Sequence, residues 1–156
     1  MTGIVYTDSL QHYFKPVVGG TAFKNVSDVI AFDWSTDATM YEPEYKDTTA
    51  RPSYEVARKI TVEYEIDYID GADFADFLWD NQDARNTEIE LVRVATHKEI
   101  AGECEAKMAT FTLMPNLPDG SAGEAIRHTG SMVMKSSGWT YGTFNEGTNT
   151  FTEATS

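Results

Sequence analysis

The chain has 156 residues, with 25 Asp and Glu against 12 Lys and Arg and a formal net charge of −13. That length fits one domain, 1–156, with a sizeable core, and an apolar fraction of 41% argues against wholesale disorder. The acidic balance argues against a nucleic-acid groove binder and a protein of anionic membrane surfaces, because both rely on Lys and Arg.

Residues 1–20 hold Pro16 and the pair Gly19-Gly20 and show no sustained period. They read as an N-terminal arm with a short strand at Gln11–Val18. The start, Met1-Thr-Gly-Ile-Val-Tyr-Thr-Asp, has no basic region followed by an apolar one, so no signal peptide is expected there. No run approaches eighteen apolar residues, so no membrane helix is expected either. These features predict a soluble, cytoplasmic protein. Thr21–Trp34 carries Phe23, Val26, Val29, Ile30, Phe32 and Trp34, a strand or strand pair broken near Asn25–Asp28.

The stretch 35–57 has two prolines and few aliphatics and reads as a long loop. Its Tyr41, Tyr45 and Tyr54 favour a binding surface, since tyrosine is enriched at interfaces. Arg58–Ile69 is the clearest element. Ile60, Val62, Tyr64, Ile66 and Tyr68 alternate with Thr61, Glu63, Glu65 and Asp67. One face is buried and one is wet, as in an antiparallel sheet. A helix follows over 73–84, capped by Asp70 or Asp73, with Asp76 favourable to its dipole. Phe74, Phe77 and Leu78 form a stripe at i, i+3, i+4 that must dock on a sheet, with Trp79 beside it.

Glu88–Ala95 and Glu103–Met114 have strand composition and are joined by a turn near Lys98–Gly102. Pro115–Gly123 is a loop, and Ala125–Ser137 is a last strand. Residues 138–156 read as a C-terminal arm, Thr/Gly/Asn-rich with spaced aromatics. The core therefore spans 21–137. The fold class is mainly β: an antiparallel sandwich or partly rolled barrel, one short flanking helix, a long inter-strand loop and terminal arms.

No catalytic constellation emerges. His12, His97 and His128 fall in the arm, a turn and a strand, without the spacing of a zinc motif. They read as ordinary surface or half-buried histidines. Lone Cys104 excludes an internal disulfide, and its neighbours Glu103 and Glu105 would raise its thiol pKa, so it reads as structural. The acids around the helix lack the alternate spacing of a calcium loop. Glu63 and Glu65 share a strand face, but a paired-carboxylate hydrolase would need a deep loop system. No cofactor, metal or enzymatic activity is expected. The informative features are an acidic strand face, a long loop and two arms, which suit a protein that orders on a partner.

In order and pattern the chain resembles the major tail tube proteins of long, non-contractile tailed phages, from about Thr21 to Gly138. The resemblance rests on Lys59-Ile-Thr-Val-Glu-Tyr-Glu-Ile-Asp-Tyr68 followed by the helix Asp73-Phe-Ala-Asp-Phe-Leu-Trp79. It continues with Thr87-Glu-Ile-Glu-Leu-Val-Arg-Val94, the strand Glu103–Met114 and a last strand ending at Ser136-Ser-Gly138. The stretch 35–57 falls where that family carries its long loop.

This resemblance implies hexameric rings of the chain, stacked head-to-tail into a tube through which DNA leaves the capsid. The type VI secretion tube protein shares the fold. Expected partners are further copies, the tail tip or initiator, the tape measure and tail terminator proteins, and DNA in non-adhesive transit, with no membrane. The location would be the virion tail, after assembly in the host cytoplasm. Thr61, Glu63, Glu65 and Asp67 would line the lumen. Six copies at −13 each would carry about −78 formal charges, and a negative wall repels phosphate. Tyr41, Tyr45, Arg51 and Tyr54 would serve contacts between rings, and ordering the loop would delay polymerisation. A monomeric binding module using the tyrosine-rich loop is the alternative.

Overall fold

The computed structural model describes residues 3–4, 10–26, 29–41, 54–69, 71–118, 122–123, 126–136 and 138–154. Its elements run in chain order β1 (Leu10–Pro16), β2 (Lys24–Asn25), β3 (Val29–Tyr41), β4 (Tyr54–Asp67), α1 (Asp73–Asp80), β5 (Thr87–Ile100), β6 (Glu103–Pro115), β7 (Arg127–Met134), β8 (Thr140–Asn145) and β9 (Thr150–Glu153). The strands form one antiparallel sheet in the order β2-β1-β5-β6-β7-β4-β3. β6 shares one edge between two partners: β7 pairs with residues 111–115 and β8 with residues 104–108. β9 extends β8. The sheet is not closed into a barrel. It curls, because His12 on β1 meets Phe32 on β3 at 4.7 Å between ring centroids.

Two apolar clusters result, on opposite faces of β5 and β6. The larger holds Phe14, Val62, Tyr64, Ile66, Ile89, Leu91, Phe111, Leu113 and Met132, closed by Phe74 and Leu78 of α1. The smaller holds Tyr13, Phe23, Val92, Val94, Cys104, Ala106 and Phe144. Successive side chains of a strand point to opposite faces. Leu91 and Val92 therefore serve different clusters, and both have no exposed area.

Five expectations need correction. The first 20 residues are not an arm throughout, because β1 is paired on both sides, with β5 and β2. Tyr13 and Phe14 are both buried, one in each cluster, and a strand buried on both faces shows no alternation. The long loop is shorter than 35–57, since β3 runs on to Tyr41 and β4 begins at Tyr54. These ends pair as a ribbon, and Ser35, Thr36, Asp37 and Ala38 are all exposed. A ribbon that is wet on both faces also loses the alternating signal.

The helix ends at Asp80, where Asn81 turns its backbone N–H and its side-chain Nδ2 onto the Phe77 carbonyl at 3.2 and 2.9 Å. Ala72 occupies the N-cap position with no side-chain cap, so Asp73 and Asp76 do not cap the helix but favour it through its dipole. The C-terminal arm is a hairpin. Phe144 is fully buried, and the Asn145 side chain accepts from the backbone N–H of Gly147 and Thr148 to hold the turn. Any side chain at Gly142 would collide with the Thr152 carbonyl, so the hairpin closes only around a glycine.

Candidate functional site: an acidic sheet face

The outward residues of β4 are Thr61, Glu63, Glu65 and Asp67, alternating with buried Val62, Tyr64 and Ile66. Their neighbours follow from register. Ser35 and Val133 flank Thr61, Asp33 and Ser131 flank Glu63, Thr129 lies beside Glu65, and Arg127 lies beside Asp67. Arg127 binds both of the last two acids, with Nη1 at 2.8 Å from Glu65 and Nε at 3.3 Å from Asp67. These carboxylates hold the guanidinium pKa above its usual value despite the opposing effect of burial. Glu65 is thus paired with Arg127, whereas Glu63 beside it on the same face is not.

The negative excess is thus concentrated on Asp33 and Glu63. They sit directly opposite each other, and neither has a basic partner among the described residues. Like charges in register are unfavourable in a sheet. The two acids border an open cavity of about 370 Å³ whose wall includes Met114 and Gly130. Further across the same face, Glu88 pairs with Lys135 and Glu90 with Lys15 at 3.1 Å.

Phe74 and Leu78 pack into the larger cluster, each 1% exposed, and Phe77 lies partly buried against it. Phe74 meets Phe14 at 4.8 Å and Tyr64 at 6.2 Å. Tyr41 and Tyr54 are backbone partners at the end of the β3–β4 ribbon. Tyr45 and Arg51 lie outside the described residues.

Of the histidines, His128 is 2% exposed and packs against Tyr68 and Trp79. His12 sits inside the curl of the sheet, and burial, helped by nearby Arg93, lowers its pKa to about 3. His97 lies exposed on β5 rather than in a turn. The Cys104 thiol is raised first by burial and then by Glu146, to which Sγ donates at 3.6 Å. Glu146, 42 residues away, therefore does what sequence neighbours were expected to do. Among the described residues no three or more His, Cys, Asp or Glu are grouped to hold a metal ion. No described helix is long and apolar enough to cross a membrane.

No family model matches the chain, and no curated protein matches it. Among solved structures, the chain is similar to a protein in the anti-feeding prophage (AFP) baseplate, determined by cryo-EM and 6-fold symmetrised. The TM-score is 0.57 at 7% identity, covering 89% of this chain and 97% of that one. At that identity the likeness is one of fold, and it spans nearly the whole of both chains.

Proposed function

We propose that the chain is a structural protein of a phage or phage-like tail, whose copies close into hexameric rings that stack head-to-tail into a tube. The observation that carries this reading is the fold shared, over nearly its full length, with a protein of a 6-fold symmetrised prophage baseplate. Two features of the molecule support it. The outer edge of β3, 13 residues long, has no partner strand among the described residues. Such an edge invites strand pairing with another chain, and ring closure would satisfy it. The β4 face, with Asp33 and Glu63 unpaired, would repel the DNA backbone if it lined a lumen. On this reading the chain has no catalytic role. It acts with the tail tip, tape measure and terminator proteins in the virion tail, and DNA passes through without adhering.

Negative-stain electron microscopy of purified protein, fresh and concentrated, tests the assembly. Hollow tubes or sixfold rings are expected, and monomers alone, even with tail-tip complexes as seeds, would sink the proposal. The lumen assignment has its own test. In tubes of Asp33→Lys/Glu63→Lys, DNA should be retained when it is released at low salt. Equal retention by wild-type and variant tubes would place this face elsewhere.

A further inference from the structure

A row of one neutral imidazole and two cations crosses the sheet on its inner face. His12 on β1 is opposite Arg93 on β5, and Arg93 is opposite Lys107 on β6. Cations in register repel, yet no acid pairs with Arg93 or Lys107 among the described residues. Instead the row is backed by indoles. The Arg93 guanidinium lies 5.1 Å from the Trp34 ring, and Lys107 Nζ lies 4.5 Å from the Trp139 ring. The two indoles are 5.5 Å apart.

Two polar atoms of the row lack hydrogen-bond partners. His12 Nε2 and Arg93 Nε are buried and have no partner. Unmade hydrogen bonds of that kind are costly and are expected where a ligand supplies the missing partner. Burial lowers the pKa of both Arg93 and Lys107, and for Lys107 the nearby Arg93 adds to it, which an incoming anion would relieve. Arg93 and Lys107 open onto a cavity of about 350 Å³, with the Lys98–Glu105 ion pair, at 3.5 Å, among its lining residues. This is a cationic recess in a chain of net charge −13.

We propose that the recess lined by Arg93 and Lys107 receives a carboxylate side chain from a second copy of this chain. Charge complementarity points to that occupant, because the chain carries 25 acids against 12 Lys and Arg. A guanidinium with a free Nε–H and a neighbouring ammonium give a carboxylate short, charge-assisted hydrogen bonds. The aromatic floor fixes both cations before the ligand arrives, which limits the entropy lost on binding. The contact is heterologous: recess on one copy, acid on the next. Repetition builds a ring or a filament. The proposal rests on the self-assembly put forward above.

The test is the double variant Arg93→Met/Lys107→Met, which keeps unbranched stems on the indoles and removes both cations. Two readouts are taken: the melting midpoint of the monomer and the critical concentration for assembly by sedimentation velocity. The expected result is a midpoint equal to or above that of wild type, as like-charge repulsion is relieved. The critical concentration should rise by about tenfold or more, the change that losing one charge-assisted contact implies. A lowered midpoint with unchanged assembly would make the row purely structural and overturn the proposal.

Wild-type protein provides a check that needs no variant. Sodium glutarate should raise the critical concentration more than sodium chloride at equal ionic strength. Equal effects overturn the proposal, and so does competition by sodium phosphate without competition by glutarate. Wild type that stays monomeric at every concentration overturns both this inference and the tube assembly. Wild type that assembles while the variant assembles equally well overturns this inference alone.

Discussion

The cluster around Phe111 and the cluster around Phe144 lie back to back on β5 and β6, and they are closed in different ways. The Phe111 cluster draws on β1, β4, β5, β6, β7 and α1, segments spread over most of the chain. The Phe144 cluster is roofed by one terminal hairpin, β8–β9, with Tyr13 and Phe23 beside it. Phe144 meets Tyr13 at 4.3 Å and Phe23 at 6.1 Å. A core closed by distant segments should be lost only with the whole fold. A core roofed by one local hairpin can open by itself. Equal burial of two phenylalanines thus does not imply equal consequences when they are removed.

Truncating each ring breaks or sharpens that contrast. Phe111→Ala should cost about 3–5 kcal/mol, seen as a lower urea midpoint for the whole molecule. Phe144→Ala removes the same ring, but its cost should fall on the hairpin. Hydrogen exchange should show lost protection in β8, β9 and the β6 segment 104–108, with Ile89, Leu91 and Phe111 amides unchanged. If Phe144→Ala instead loosens all amides together, the two clusters are one cooperative core.

A smaller effect probes the rim of the larger cluster. Burial, aided by Arg93, keeps folded His12 neutral down to a pKa of about 3, whereas the unfolded chain binds a proton near 6.5. The unfolded state therefore holds more protons between those values, and stability falls as pH drops through that window. The loss is at most about 1.4 kcal/mol per pH unit. His12→Gln should flatten stability against pH between roughly 6 and 4 relative to wild type. Identical slopes in denaturant titrations would mean that His12 is hydrated in the folded protein.

The acidic face was half legible in the sequence. Its period-two spacing put Thr61, Glu63, Glu65 and Asp67 on one side of a strand. Two things were not legible. Arg127, 60 residues beyond Asp67, neutralises part of the row, and Asp33 concentrates charge at Glu63. Both depend on strand order, which alternation within one strand does not encode. The row of His12, Arg93 and Lys107 was invisible for the same reason, since its members come from three segments and meet only in register.

By itself the sequence determined the mainly β class, the β4 strand, the helical stripe Phe74, Phe77 and Leu78, and the β5–β6 hairpin. β4 and the helix have one wet and one dry face, so hydropathy reveals their period, whereas the β5–β6 hairpin was legible from its strand composition around a turn. Tertiary structure decided the rest. It built the short strand expected within the N-terminal arm into the sheet, buried on both faces, and made a paired ribbon of residues that read as a loop and a core hairpin of residues that read as a tail. A strand dry on both faces, or wet on both, carries no alternation, and only its neighbours in the sheet settle what it is.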